Sequence, residues 1–440
     1  MNQEEKNSNK CLKCDRPTHK ESKYCIFHAG AEEKTEKEFK KALKKYIQEI
    51  KEKNKYCNFG RFIFIGEIDF KEDLNINIFK ETNFLGATFD GDTSFWGATF
   101  EGYADFRQVI FKRDAIFWKA TFEGDIDFSG ATFEGDIDFK VKHFVKSINF
   151  SRVSILSVNK LNLKSENNEG IISFERACLE NAYLDIELGK DVLIDFSDAL
   201  LKNTMIKKRQ IENHILQEKK KNYSEAQQVF LLLKNNFHSI GRYNDESWAY
   251  IKEKDMEKLS YSFANPEKTT ILMRLTNKIY QDTSNKKNIF YRFILRIKSF
   301  IKWFFSKKFL NWFNLTISSF IYGYGERPWK VIRFASIAIV LFALIFNRYG
   351  IITTSYKLNF LEEYLRKTES NGYILKYLGS ISGNFWNCLY FSVITFTTLG
   401  YGDFQPLEGW SRFFAGSEAF IGAFMMALFV YTFARRTGGR

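Results

Sequence analysis

The feature that most constrains this chain is a run of phenylalanines at a spacing that fits neither a helix nor an ordinary strand. From Phe84 they recur at 84, 95, 106, 117, 128, 139 and 150, and a second series occupies 89, 100, 111, 122, 133 and 144. Each series steps by eleven, and the two interleave at alternating gaps of five and six. A helix face needs steps of three and four and a strand needs two, so this spacing describes a chain that turns a corner after each short extended piece. Stacked coils of that kind bury one continuous ladder of rings. The residue two before a ring is often small, as at Ala87, Ala98, Ala120 and Ala131, and fits inside beside it, while the intervening Gly, Asp, Glu and Thr face water.

The repeated text is Phe-x-Gly-Ala-Thr-Phe-x-Gly-Asp-x-Asp, as it stands from Phe128 to Asp138. It resembles the pentapeptide-repeat proteins. That resemblance implies a right-handed quadrilateral β-helix with four short sides per coil, two eleven-residue units making one turn. The pattern is strongest from Phe79 to Phe150, and degenerate units extend it through Phe59, Phe64 and Phe70 on one side and Phe174, Leu179, Leu184, Phe196 and Leu201 on the other. Asn159 to Gly170 reads as an insertion loop.

The rest of the chain is of another kind. At 440 residues and 45% hydrophobic content it is too long for one small fold and too apolar for disorder. Met1 to Lys10 is polar, so no cleaved secretory signal is expected and the N-terminus is expected in the cytosol. After about Met205 the ladder stops, and Ile211, Ile215, Val229, Leu232 and Leu233 among many Lys and Glu predict a helical hairpin that exits at Asn265-Pro266. From Lys286 to Lys308 there are eight basic residues and no acid, interleaved with Phe290, Phe293, Phe300, Trp303, Phe304 and Phe305. This reads as a helix on a bilayer surface, facing the anionic lipids of the inner leaflet.

Two segments are apolar enough to cross a bilayer. Val331 to Phe346, flanked by Trp329 and Tyr349, reaches the roughly 20 residues that a span needs, and Phe413 to Phe433 is the second. Basic residues flank both on one side, Lys330 and Arg333 before the first and Arg435, Arg436 and Arg440 after the second. The positive-inside preference then places both termini in the cytoplasm of a multi-pass protein of the plasma or inner membrane. Glu418 is an acid inside the second span, read either as a pore-side charge or, preferably, as a bond to the helix before it.

Between the spans, residues 384–396 predict a short re-entrant helix that ends at Thr397, where the chain turns to Gly400 and Gly402. Non-helical backbone at membrane depth must line a water-filled path or be buried in protein. In Thr398-Leu-Gly-Tyr-Gly402 the alternating glycines let consecutive carbonyls aim the same way. This stretch is similar to the pore of potassium channels. The resemblance implies four chains around one axis, with ions held by Thr398, Leu399, Gly400, Tyr401 and Gly402, and filter support from Thr397 and Asp403. It also implies a hinge at Gly422 and a cavity lined by Met426 and Val430. Leu399 stands where Val is commoner. Ile394 stands where many such channels place a glutamate, so the usual Asp–Glu bridge is absent. A second Gly-Tyr-Gly, at Gly323 to Gly325, has no helix of that kind before it and reads as a turn.

Cys11-x2-Cys14 and Cys25-x2-His28 supply four ligands of the type Zn²⁺ prefers, with His19 as a competing ligand. A closed structural zinc site is expected.

The domains are then a zinc-knuckle segment (1–32), a helix (33–56), the β-helix (57–204), a helical linker (205–285), basic interfacial helices (286–328), an outer span (329–350) and an extracellular loop (351–383). Pore helix and filter (384–403) and an inner span (409–436) complete the chain. It has no arginine ladder for a voltage sensor and nothing after the second span that looks like a ligand-binding regulator, so gating input is expected through the N-terminal half. A rival reading is a membrane-anchored binding protein, since some pentapeptide-repeat proteins mimic DNA with an acidic solenoid, and residues 60–150 hold 16 acids against 10 bases. That reading leaves the spans and the filter text unused. Nucleic acid is not an expected partner, whereas a cytoplasmic protein or ligand at the solenoid is. No nucleophile–base constellation or phosphate-binding loop is present, so no enzyme is expected.

Overall fold

The computed structural model describes residues 10–52, 56–144, 147–155, 159–165, 169–263, 265, 297, 300–353, 357–358 and 373–438. Two compact units result, Met1–Lys286 and Lys287–Arg440.

In the first unit the corner-turning chain pairs with itself one coil on. Thr88, Ile110, Thr132 and Ser154 stand in parallel register, as do Thr93, Ala115 and Ile137, and Asn149 Nδ2 donates to Asp127 Oδ1 22 residues earlier. Four sheets of seven, five, six and four strands form the sides. Phe84, Phe106 and Phe128 stack at 4.8 Å with planes 10° and 15° apart, and Phe79, Phe100 and Phe122 stack at 4.7 Å. Strands in a sheet lie about 4.7–4.9 Å apart, so the hydrogen bonds that set the coil pitch also bring the rings into contact. The Phe-x-Gly-Asp corners have their own reason. A Cβ on Gly124 would lie 2.4 Å from the backbone of Gly102, and one on Gly135 2.3 Å from that of Arg113.

Three expectations are corrected here. Residues 159–170 are no insertion loop: Lys160–Ser165 and Glu169–Ser173 are strands within the six- and seven-stranded sheets. Leu161, Leu163 and Ile172 alternate inward, and the outward polar residues of these longer strands imitate a loop composition. Pairing also continues past 204, through Tyr183 with Met205 and Ile194 with Ile215. Accordingly Ile211 and Ile215 are buried on the last coil and not on a hairpin helix, because their four-residue spacing suits either setting.

Both ends of the coil stack are covered, as exposed strand edges require. Helix α1 (Glu36–Glu52) buries Phe39, Leu43, Ile47 and Ile50, and Phe39 meets Phe64 edge-on at 5.7 Å. At the other end, after the short α2 (Leu216–Lys219), α3 (Tyr223–Ser239) turns Ala226, Val229, Phe230, Leu233 and Phe237 inward. Its buried Asn236 accepts from Thr204 N at 2.9 Å and donates to Thr204 O at 2.8 Å, closing the open backbone groups of the last coil. Helix α4 (Tyr243–Tyr261) packs Trp248 on Phe230.

In the second unit α5 (Lys307–Ile321) leads through a 3₁₀ turn at Gly323–Gly325 into α6 (Pro328–Tyr349). The second Gly-Tyr-Gly is thus the expected turn. Pro328 opens α6, where a missing N–H costs nothing. A small antiparallel sheet joins Ile351–Thr353 to Lys357–Leu358 and Phe404–Pro406. Helix α7 (Tyr373–Phe396) and helix α8 (Trp410–Gly438) complete the unit. Helix α7 starts at Tyr373 and not at 384, since Tyr373 to Asn384 contains no proline to stop it. Helices α6 and α8 are long and apolar enough to cross a membrane. Pro266 and the basic residues from Lys286 to Lys298 lie outside the described residues, as does most of the 351–383 loop.

Candidate functional site

The loop after α7 is held by the end of that helix. Thr397 N and Thr397 Oγ1 donate to the Val393 carbonyl at 3.0 and 2.7 Å, and Leu399 N donates to the Ile394 carbonyl at 2.9 Å. From there φ is positive at alternate residues, +56° at Thr398, +53° at Gly400 and +80° at Gly402. A β-type strand points successive carbonyls to opposite sides, whereas alternation between right- and left-handed backbone turns them toward one side. Thr398 takes the left-handed conformation without being glycine, a strained state of the kind that functional loops hold. A Cβ on Gly400 or Gly402 meets nothing within 4 Å, so these glycines serve backbone handedness and not close packing. Leu399 and Tyr401 are exposed.

Behind the loop, Tyr390 faces Asp403, and the Tyr390 ring lies 5.7 Å from that of Phe404. Ile394 is buried among apolar neighbours. Glu418 reaches α7 through Ser392, whose hydroxyl also donates to the Ile339 carbonyl of α6 at 2.8 Å. Gly422, one turn further along α8, touches the end of α7: a Cβ there would lie 1.9 Å from the Phe396 carbonyl oxygen. Met426 and Val430 are exposed, off the buried stripe of Ser411, Ala415, Glu418, Gly422 and Met425. One chain does not bring them together with the loop.

Residues 368–438, which take in α7, the loop and α8, match a family described as ion channel. Residues 78–121 and 95–140 match pentapeptide repeats. The chain joins a pentapeptide-repeat β-solenoid to a short ion-channel-like domain. Both matched families are non-catalytic. No curated protein and no solved structure matches the chain.

The second candidate site lies at the start of the solenoid unit. Cys11, Cys14, Cys25 and His28 bring their ligand atoms within 4.8 Å of one another. Cys14 Sγ is 3.5 Å from Cys25 Sγ, and His28 Nδ1 lies 3.5, 3.5 and 3.3 Å from the sulfurs of Cys11, Cys14 and Cys25. Tetrahedral bonds of about 2.3 Å to sulfur and 2.0–2.1 Å to nitrogen place ligand atoms about 3.5–3.8 Å apart, so the donor set fits a metal ion. His28 Nε2 faces the Gly60 carbonyl at 3.3 Å, which fixes the tautomer that leaves Nδ1 free to ligate. Burial lowers the His28 pKa against that opposing bond and favours the neutral ring a ligand must be. Burial also pushes the Cys25 thiol up to about 12, so the Cys25 thiolate needs a cation here, whereas hydrogen bonds lower the Cys11 pKa against its own burial. His19 is not in the cluster; its ring lies 4.0 Å from Glu38.

Sequence reasoning missed Tyr390, Ser392, Gly60 and the pair Arg435–Glu326, which meets at 3.2 Å. Tyr390 and Ser392 stand on the loop's own helix at steps that reach back from Asp403 and across to Glu418, a signal visible only once the loop direction is known. The other two link positions far apart in sequence and leave no local mark.

Proposed function

We propose that four copies of the channel-like domain surround one axis and conduct K⁺ selectively, through a filter made of Thr398, Leu399, Gly400, Tyr401 and Gly402. The observation that carries this reading is the alternation of backbone handedness at residues 398, 400 and 402, which turns consecutive carbonyls to one side where they replace an ion's hydration shell. Supporting it are two membrane-length helices on either side, an α7 that ends at the loop, and Tyr390 set against Asp403 behind it. Exposed Leu399 and Tyr401 then face neighbouring copies, and Met426 and Val430 line the cavity below. Gly422 serves first as the contact between α8 and α7, and bending there would open that contact. The stripe of exposed Leu310, Phe313, Ile317 and Phe320 on α5 suits a helix lying on the membrane, with both chain termini in the cytoplasm. The Cys₃His cluster is read as a structural Zn²⁺ site that fastens the N-terminal segment to the solenoid.

The test is cation flux from liposomes that hold the purified full-length protein, with Ba²⁺ as blocker. Flux of K⁺ well above Na⁺ and its block by Ba²⁺ are expected. Equal permeation of the two ions overturns the selectivity, and absence of flux in every condition leaves a membrane-anchored binding protein.

A further inference from the structure

Glu418 is wholly buried, in the middle of a helix long enough to cross a membrane. Among the described residues no cation pairs with it. Its Oε1 is bonded to Ser392 Oγ, and its Oε2 has no hydrogen-bond partner. Ser392 Oγ is also 2.8 Å from the Ile339 carbonyl oxygen of α6.

A serine hydroxyl owns one hydrogen, a backbone carbonyl owns none, and a carboxylate only accepts. With Glu418 ionised, a single hydrogen faces two acceptors, and a full charge stays buried with one oxygen unpartnered. With Glu418 protonated, each contact has its own hydrogen: the acid donates to Ser392 Oγ, and Ser392 donates to the Ile339 carbonyl. The unpartnered Oε2 is then the carbonyl oxygen of a neutral acid, a far smaller burden than half of a charge.

We propose that Glu418 carries its proton and heads a directed relay, Glu418 to Ser392 to the Ile339 carbonyl, that holds α7 between the two membrane-length helices. The inference rests on the reading that α6, α7 and α8 lie in a bilayer around a pore. Ser392 immediately precedes Val393 and Ile394, whose carbonyls hold Thr397 and Leu399. The relay therefore fixes the last turn of α7, and through it the loop that begins at Thr398. Glu418 is a positioning residue, since it acts on the loop through Ser392 and the last turn of α7.

The test uses full-length protein in nanodiscs and liposomes. Infrared spectra at neutral pH should contain a protonated-carboxyl carbonyl band that disappears in Glu418→Gln and shifts in Ser392→Ala. Glu418→Gln keeps a donor for Ser392 and should hold the K⁺ over Na⁺ flux ratio within about twofold, whereas Glu418→Ala should lower it on the order of tenfold, the scale of one lost buried hydrogen bond. An unchanged carboxyl band in Glu418→Gln, or a Gln variant as impaired as the Ala variant, overturns the relay. If the wild-type protein conducts nothing, the channel reading fails, while the infrared band and the response of thermal unfolding to the Gln and Ala variants still decide the relay.

Discussion

Single glycines in this chain do different jobs, and the distinction governs what a methyl group does at each. At Gly400 and Gly402 the backbone is left-handed and the surrounding space is open; at Gly422 the backbone is helical and the Phe396 carbonyl fills the space. Alanine at Gly400 therefore costs about 1–2 kcal/mol of backbone strain, which falls on the loop alone. Gly400→Ala is expected to abolish K⁺ preference in the liposome assay while the unfolding temperature of the membrane unit changes little. Gly422→Ala forces α8 away from α7 and should lower that temperature as well as flux. Equal thermal effects of the two variants would count against the assignment. The text Gly-Tyr-Gly was legible as a special backbone from sequence, and so was the turn at Gly323–Gly325. The crowding at Gly422 was not, because a glycine kept for contact and one kept for bending look alike until the neighbour is placed.

Among elements, the solenoid was the most legible, because every coil repeats the same burial decision and the Phe spacing reports it thirteen times over. Its start at Cys57 behind a helix was legible too, but its C-terminal end was not, since an end is made once, from unrelated pieces. The strands around 160–173 were hidden for a related reason: as the coil sides lengthen, more polar residues point outward and the composition drifts toward that of a loop. On the proposed metal-site reading, the Cys₃His cluster and the contacts around it tie the N-terminal cap to the first coil. Ile63 N donates to the Phe27 carbonyl at 2.8 Å, Phe27 stacks on Phe62 at 4.6 Å, and Lys34 Nζ bridges the Ile26 and Ile63 carbonyls at 2.9 and 2.6 Å. Each of these contacts lies within eight residues of a ligand or on the first coil. In a solenoid each coil is stabilised mainly by its neighbours, so damage at one end fades along the stack. Chelation of the metal should thus speed hydrogen exchange of residues 11–64 by at least tenfold and leave residues 106–150 nearly unchanged. Uniform acceleration along the stack would show that the cap is not an independent element. Cys25→Ser should reproduce the chelated pattern without a chelator, and metal analysis of the wild-type protein should return one Zn²⁺ per chain.

At the scale of the whole molecule, charge is sorted by region. Residues 205–330 carry 24 bases against 11 acids, while residues 60–150 are acidic, so the chain's +13 is concentrated next to its first membrane-length helix. The first turn of α5 sharpens the point. Ser306 caps it and Lys307 and Lys308 follow with no acid beside them, although the positive end of a helix dipole disfavours cations there. Nothing in the helix itself rewards that arrangement, whereas an anionic lipid surface does, at about 1 kcal/mol per basic residue held close to it. The same belt was readable in the sequence as a run without acids; its alignment against a helix terminus was not, because the cap at Ser306 had to be located first. In nanodiscs, replacing zwitterionic with anionic lipid should raise the unfolding temperature of the full-length protein by several degrees. High salt should erase part of that gain, since a Debye length of about 8 Å at physiological ionic strength shrinks to about 3 Å at 1 M. Changing Lys302, Lys307 and Lys308 together to Gln should remove about half of the gain and leave the unfolding temperature in zwitterionic lipid unaltered. A triple variant with full lipid dependence would place the lipid contact elsewhere on the chain, and one destabilised equally in both lipids would mean that these lysines bind protein instead of membrane.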